Sequence, residues 1–426
     1  MKGRVWLWPV GIVAVLAVTV LIAERIGKKR EDDALREQLR LARQEGIPTT
    51  AVEFAAQIKP VPPEQNAAQF YRELGKLKDD LRKDLADPYP VQDASLARDK
   101  KFVAGAGKLY NLVDQATKRP HCWFDRDWNQ GYMTLFPEYA YMKSAARLLM
   151  IRGSVEASEG DSQGAAKDVK EVFAIGRHLD EDPTVIAYLV HVAVTQIAVE
   201  AVTTWSMKHR NEPLYRELLA DGVNQLPKPD MRRLYSGDLY CLLSAIDKMS
   251  TRQGRREFGL KDDDGPSLAQ QAILKMASRG KGKPDIVKAF RAVWSALPRP
   301  MAERDPLLEK AGLGLDQSLM AFPYAYEVIH ALGGSPMYID LEALSISDRQ
   351  RDIALLRAIS QNPIPPRIKT SDLLSPYDGK PLSYSFDGKQ IRITTSAAPS
   401  DEENPKPRVY KTPPDSAFEA TAPSAH

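Results

Sequence analysis

Residues Val5–Ala23 carry no charged side chain, and at about 1.5 Å of rise per residue a helix of that length crosses the hydrocarbon layer of a bilayer. The chain is therefore read as anchored at its N-terminus, with the bilayer itself as a partner. The competing reading is a secretory signal peptide with Lys2 and Arg4 as its charged start. Signal peptides have shorter apolar cores, roughly 7 to 15 residues, and a small-x-small cleavage site, whereas Leu21-Ile22-Ala23 puts a bulky residue where a small one is wanted. Basic residues flank both ends, Lys2 and Arg4 before the span and Arg25, Lys28, Lys29 and Arg30 after it. Counting them favours a cytoplasmic body, while the very short basic N-tail resembles an inward-held signal anchor. The reading adopted is a single-pass protein of the cell membrane with an extracytoplasmic body.

A chain of 426 residues can bury one large core or two ordinary ones after losing an anchor and a tail. The formal charge of +3 gives no field that would call for nucleic acid, and none is expected as a partner. Two cysteines, Cys122 and Cys241, cannot form a disulfide framework, and neither has a CxxC neighbour. They read as buried thiols, with pairing open to them in an oxidising compartment. None of the six histidines falls in a metal-binding frame, so neither metal nor cofactor is expected.

Helical periodicity dominates the chain beyond its apolar start. Residues 1–30 form the anchor and its basic flank, and residues 31–65 a juxtamembrane helix and proline-rich linker. Thr50-Ala51-Val52-Glu53 has capping-box spacing and predicts a short helix between them. A helical body is expected over 66–366, an antiparallel bundle or α-solenoid-like array. Phe70, Leu74, Leu77, Leu81 and Leu85 make one apolar stripe over Ala67–Leu85, and Leu96–Lys118 continues in the same manner. Glu138–Leu179 reads as a helical hairpin turning at Gly160-Asp161. Asp182-Pro183 then starts a helix that is apolar almost all round over Val185–Trp205, a core helix interrupted by His191, Gln196 and Glu200.

Further helices are expected at Pro213–Asn224, Met231–Phe258, Ser267–Met276, Pro284–Leu297, Leu315–Leu332 and Asp340–Gln361, with acidic Asp262–Asp264 and basic Arg279–Lys283 in solvated loops. Within 367–397, Leu382–Phe386 and Gln390–Thr394 alternate around Asp387-Gly388-Lys389, a β-hairpin. The remainder, 398–426, is rich in proline, serine and charge and reads as a disordered tail. The fold class is thus mainly α with one small β-hairpin.

Three segments carry a resemblance: Gly46-Ile47-Pro48-Thr49-Thr50 behind a membrane helix, the Arg147–Val202 helical unit, and Ser375–Leu382 before the hairpin. Together they resemble a group of uncharacterised bacterial membrane-anchored helical proteins. Gly153, Gly160-Asp161, Ala165 and Val169 resemble the small and apolar positions of one tetratricopeptide unit. The stretch Pro376-Tyr377-Asp378-Gly379-Lys380-Pro381-Leu382 is similar to the C-terminal turn of type II secretion pseudopilins.

The polar residues suggest one candidate pocket. The loop His121–Trp128 sets aromatics beside charges, as a site for a sugar, peptide or small ligand would, and His121, Trp123, Asp125 and Asp127 are its candidate lining. His191 and Glu200 on the apolar helix complete the set. The bland alternatives are a loop held by Arg126 pairing with Asp125 or Asp127, and a buried polar seam fixing helix register. The expected function is a membrane-anchored binding or assembly module of the bacterial envelope with a protein partner, and the alternative is an envelope enzyme, hydrolase-like, working at this pocket.

Overall fold

The computed structural model of the protein describes residues 7–77, 96–209, 211–249, 253, 283–299, 303, 337–361, 363–376, 379–394 and 408–411. The described chain is mainly helical with a small antiparallel sheet. Several expectations lie outside the described residues: the Leu81 and Leu85 end of the first apolar stripe, the helices at Ser267–Met276 and Leu315–Leu332, the Asp262–Asp264 loop, and the tail apart from 408–411. The chain divides into two compact units, residues 1–57 with 128–134 and 235–337, and residues 58–127 with 135–234 and 338–426.

The first unit opens with α1, Leu7–Gln44, a single helix. It stops in a Schellman turn: Gly46 takes φ 78°, Ile47 N donates to Ala42 O at 2.9 Å and Gly46 N to Arg43 O at 3.0 Å. Ile47 and Ala42 are both buried, the apolar contact that accompanies such a stop. The next helix, α2 (Ala51–Ala55), starts as the sequence predicts, with Thr50 Oγ1 accepting from Glu53 N at 3.2 Å. Glu53 reaches back one residue further than a capping box requires, to Thr49 N at 2.7 Å, and also holds Arg43 at 2.8 Å. Phe54 of α2 packs edge-on to Trp128, ring centroids 4.9 Å apart, and Gly237 brings the backbone against the same phenyl ring.

The second unit holds the larger core. Up to residue 234 its described helices are α3 (Ala68–Lys76), α4 (Leu96–Gly105), α5 (Gly107–Thr117), α6 (Pro137–Ser158), α7 (Ser162–Asp180), α8 (Val185–Lys208), α9 (Pro213–Gln225) and α10 (Met231–Leu234). Leu96–Lys118 is thus two helices and not one, broken at Ala106 between Gly105 and Gly107, where backbone freedom makes a helix interior weakest. The α6–α7 turn follows the sequence reading: Gly160 has φ 83°, Asp161 N donates to Glu156 O at 2.9 Å, and Asp161 Oδ1 accepts from Gly164 N at 2.9 Å. The start of α8 does not follow it. Thr184, not Asp182, caps the helix by accepting from Ala187 N at 3.2 Å, because the Asp182 carboxylate is occupied by Arg126.

Back in the first unit, Asp238–Met249 forms α11 and Lys283–Ala296 forms α12. The predicted Met231–Phe258 helix is interrupted at 235–237, where Gly237 sits. Arg291 of α12 binds Gln38 Oε1 at 2.8 Å and Glu45 Oε2 at 3.0 Å, and Trp294 Nε1 donates to Glu45 O at 3.2 Å. The last helix, α13 (Met337–Ile359), leads to the sheet.

That sheet has three strands, β1 (Ser383–Phe386), β2 (Gln390–Thr394) and β3 (Arg408–Lys411), in sequence order and antiparallel. The hairpin turn works as its sequence implies, with Gly388 at φ 88° and Asp387 Oδ1 accepting from Lys389 N and Gln390 N at 2.9 and 2.7 Å. Residues 408–411, expected in a disordered tail, form β3 instead. Val409 and Tyr410 find partners opposite Arg392 and Ile391 on the free edge of β2, which a reading for apolar period alone overlooks. Ile391 and Ile393 are fully buried and share one core cluster with Leu355 and Ala358 of α13, so the hairpin docks on the helical unit.

Candidate functional site

The acidic triplet Asp180-Glu181-Asp182 closes α7, and each carboxylate holds a different basic group. His191 Nδ1 donates to Asp180 Oδ1 at 2.7 Å. His121 Nδ1 lies 2.7 Å from Glu181 Oε1, and Cys122 N donates to Glu181 Oε2 at 2.9 Å. Arg126 Nη1 meets Asp182 Oδ2 at 2.5 Å. The loop 121–126 is thereby fastened to the end of α7, and α8 is fastened to it from the other side.

The backbone of that loop is set by Asn66, whose Oδ1 accepts from Trp123 N at 2.9 Å and whose Nδ2 donates to Trp123 O at 2.9 Å. Arg126 then turns inward, with only 5 % of its side chain exposed. Its guanidinium lies 4.7 Å from the Phe136 ring centre, 5.0 Å from Phe124 and 5.1 Å from Tyr139, with Glu138 Oε2 at 3.5 Å. Cation–π attraction and two carboxylates replace the water this group loses. The aromatic loop therefore surrounds the chain's own arginine, and the arginine's partners are Asp182 and Glu138 where the sequence suggested Asp125 or Asp127.

Of the six candidate residues, the structure brings His121 and His191 to adjacent carboxylates of the acidic triplet. Trp123 is held through its backbone by Asn66, and Asp125 and Asp127 are exposed on the loop. His191 is buried and committed to Asp180. Glu200 follows it by nine positions, about half a turn out of phase and about 13 Å along the axis, so carboxylate and imidazole leave α8 on opposite sides. Among the described residues no hydrogen bond or ion pair joins Asp125, Asp127 or Glu200 to either histidine. The polar positions of α8 serve two neighbours: His191 faces α7, and Gln196 Nε2 donates to the fully buried Asp352 of α13 at 3.0 Å.

Sequence reasoning missed His178. Buried at 3 % exposure, it accepts from Tyr71 OH at Nδ1 (2.9 Å) and donates from Nε2 to Arg119 O (2.8 Å). The carbonyl fixes the proton on Nε2, and burial lowers the imidazole's proton affinity, so it stays neutral. A helical position between Gly176 and Leu179 gave no local sign of partners 59 and 107 residues away.

A second polar cluster joins α5, α6 and α7. Arg152 grips Asp168 through Nε at 2.9 Å and Nη2 at 2.5 Å, reaches Asp114 at 2.9 Å and Glu171 at 3.5 Å, and lies 4.7 Å over the Tyr110 ring. Burial raises the carboxyls of Glu156 and Glu171 to about 7, helped by Asp168 in the first case and Asp114 in the second. Both thiols are unbridged, and burial pushes them up, Cys241 to about 12. Among the described residues no three His, Cys, Asp or Glu side chains are placed to share a metal ion.

An open cleft of about 480 Å³ lies among the described residues of this unit, lined by Leu77 at the end of α3, the α4–α5 break and Ile151 of α6. Comparisons with family models, curated proteins and solved structures found no match to the chain.

Proposed function

We propose that the protein is a single-pass, membrane-anchored binding or assembly module of the bacterial envelope, its helical body held outside the cytoplasm. The observation that carries this reading is the continuity of α1, which runs from within the charge-free stretch through the charged stalk to Gln44 and docks at Arg291. An apolar helix with no break before the body suits a retained anchor better than a segment to be cleaved away. Among the described residues one helix, Val185–Lys208, is also long and apolar enough to cross a membrane. We read it as a core helix, since His191 and Gln196 find polar partners on two different neighbouring helices.

A binding role is favoured over hydrolysis because His121 and Arg126 of the aromatic loop, and His191 of α8, are spent on holding the chain together. General acid–base work needs groups that converge on a shared reacting atom, and these diverge. Removal of residues 1–30 should yield a soluble, strongly helical body after cell fractionation. A truncated protein found wholly in the membrane fraction would overturn both the anchor and the core reading of α8.

A further inference from the structure

We infer that the cleft between the end of α3, the α4–α5 break and α6 binds a single-chain amphiphile with an anionic head, such as a long-chain carboxylate. The inference deepens the binding reading and rests on it. Its floor is hydrocarbon: Leu77, Phe102, Leu109 and Ile151. Away from the helix ends at the α4–α5 break, the walls are helices whose peptide groups bond within the helix, so the floor offers a peptide backbone or a sugar hydroxyl little to pair with. The exception, Asp99, is 4 % exposed and is matched by Arg98, whose Nε lies 3.6 Å away.

The rim is cationic. Lys101 on α4 and Lys108 on α5 are exposed on either side of the break, and neither makes an ion pair among the described residues. With Arg98 offset by Asp99, the mouth keeps two positive charges above an apolar floor. A guest that matches this buries an alkyl chain and leaves an anion at the opening. The volume is in the range of small-molecule sites, roughly 300–1,000 Å³. Gly105 lines the cleft, and a Cβ built on it meets nothing within 4 Å, so a larger side chain there has room beside the opening.

The test uses the full chain in phosphatidylcholine nanodiscs and a diazirine-bearing dodecanoate as probe, with cross-links mapped by mass spectrometry. Labels are expected on peptides carrying residues 96–109 and Ile151, displaced by dodecanoate about tenfold better than by dodecanol, and roughly fourfold less well for each methylene removed. Gly105→Phe should abolish labelling, and the Lys101→Glu/Lys108→Glu pair should cut it about tenfold at low salt. Circular dichroism checks the fold. If Gly105→Phe loses helicity, the exposed lysine pair decides alone. Labels confined to the N-terminal apolar helix, equal displacement by dodecanol, or labelling unchanged in the lysine variant would overturn the inference. So would labelling that needs acidic lipid in the disc and ignores free dodecanoate, which would assign the surface to a bilayer. None of these results bears on where the truncated body fractionates, so the two readings fail separately.

Discussion

His191 reaches the Asp180 carboxylate, 2.7 Å away, because the facing position on α7 is Gly176. A Cβ there would lie 2.5 Å from His191 Nε2, closer than packed atoms tolerate. Gly176→Ala should therefore cost about 1–3 kcal/mol in urea unfolding, the usual penalty for overpacking a close helix contact. His191→Ala in the same background should recover part of it. An unchanged urea midpoint in the single variant would show that the two helices do not approach this closely.

Arg126 is the larger commitment. Its loss leaves Asp182, 10 % exposed at the side chain, without the cation that offsets its burial, and leaves Glu138, equally buried, with Arg72 alone. Arg126→Ala should cost about 3–5 kcal/mol, whereas Arg126→Lys should lose less, keeping charge but not the flat face that stacks on Phe136. Equal losses in the two variants would argue against the ring contacts as a source of stability.

Stability should also vary with acidity at the Arg152 cluster. Glu156 and Glu171 have carboxyls raised to about 7 from the ordinary 4.5, facing Asp114, Asp161, Asp168, Arg152 and Lys167. Between those two values the native state holds more protons than the unfolded chain. The contribution of these groups is thus most favourable at low pH, falls as pH rises through about 7, and is level above. Melting temperatures of wild type and of Glu156→Gln/Glu171→Gln, compared at pH 5.5 and 8, should diverge, the variant losing less on the alkaline side. Parallel curves for the two proteins would remove the cluster as the cause.

At the C-terminus, Ile391 and Ile393 are fully buried, and replacing either by Ala should cost about 2–5 kcal/mol. Deleting 412–426 should leave the melting temperature nearly unchanged. Deleting 398–426 removes β3 and bares the outer edge of β2, so a measurable drop is expected there. A 398–426 deletion as stable as wild type would mean that β3 contributes little to the sheet.

Much of the helical order is legible in the sequence because its signals are local. Gly160 stops α6, Asp161 caps α7, and Asp387-Gly388 turns the hairpin, each within a few residues of what it controls. Misreadings arose where a distant group competes for a local signal. Asp182 before Pro183 has every local mark of a cap, yet a guanidinium 56 residues earlier takes its carboxylate. The partners of the candidate pocket's histidines were hidden in the same manner: His121 and His191 approach one short segment, where the adjacent carboxylates Glu181 and Asp180 carry no pattern of their own. Asp352, 156 residues from Gln196, is likewise invisible to any window along the chain. The two interleaved units arise from contacts of that range, and periodicity along the chain contains no trace of them.

The unbroken course of α1 gives the molecule an azimuth as well as a reach. From Glu24 to Gln44 the helix extends about 32 Å and turns about 100° with every residue, while its far end is held at Arg291 and Trp294. One inserted residue in the exposed stalk would therefore swing the apolar end by more than a quarter of a circle relative to α12, and seven would nearly restore its bearing while adding about 10 Å. Whatever meets the apolar end at a fixed angle meets the first unit at a fixed angle too, as a key's bit is fixed by its bow.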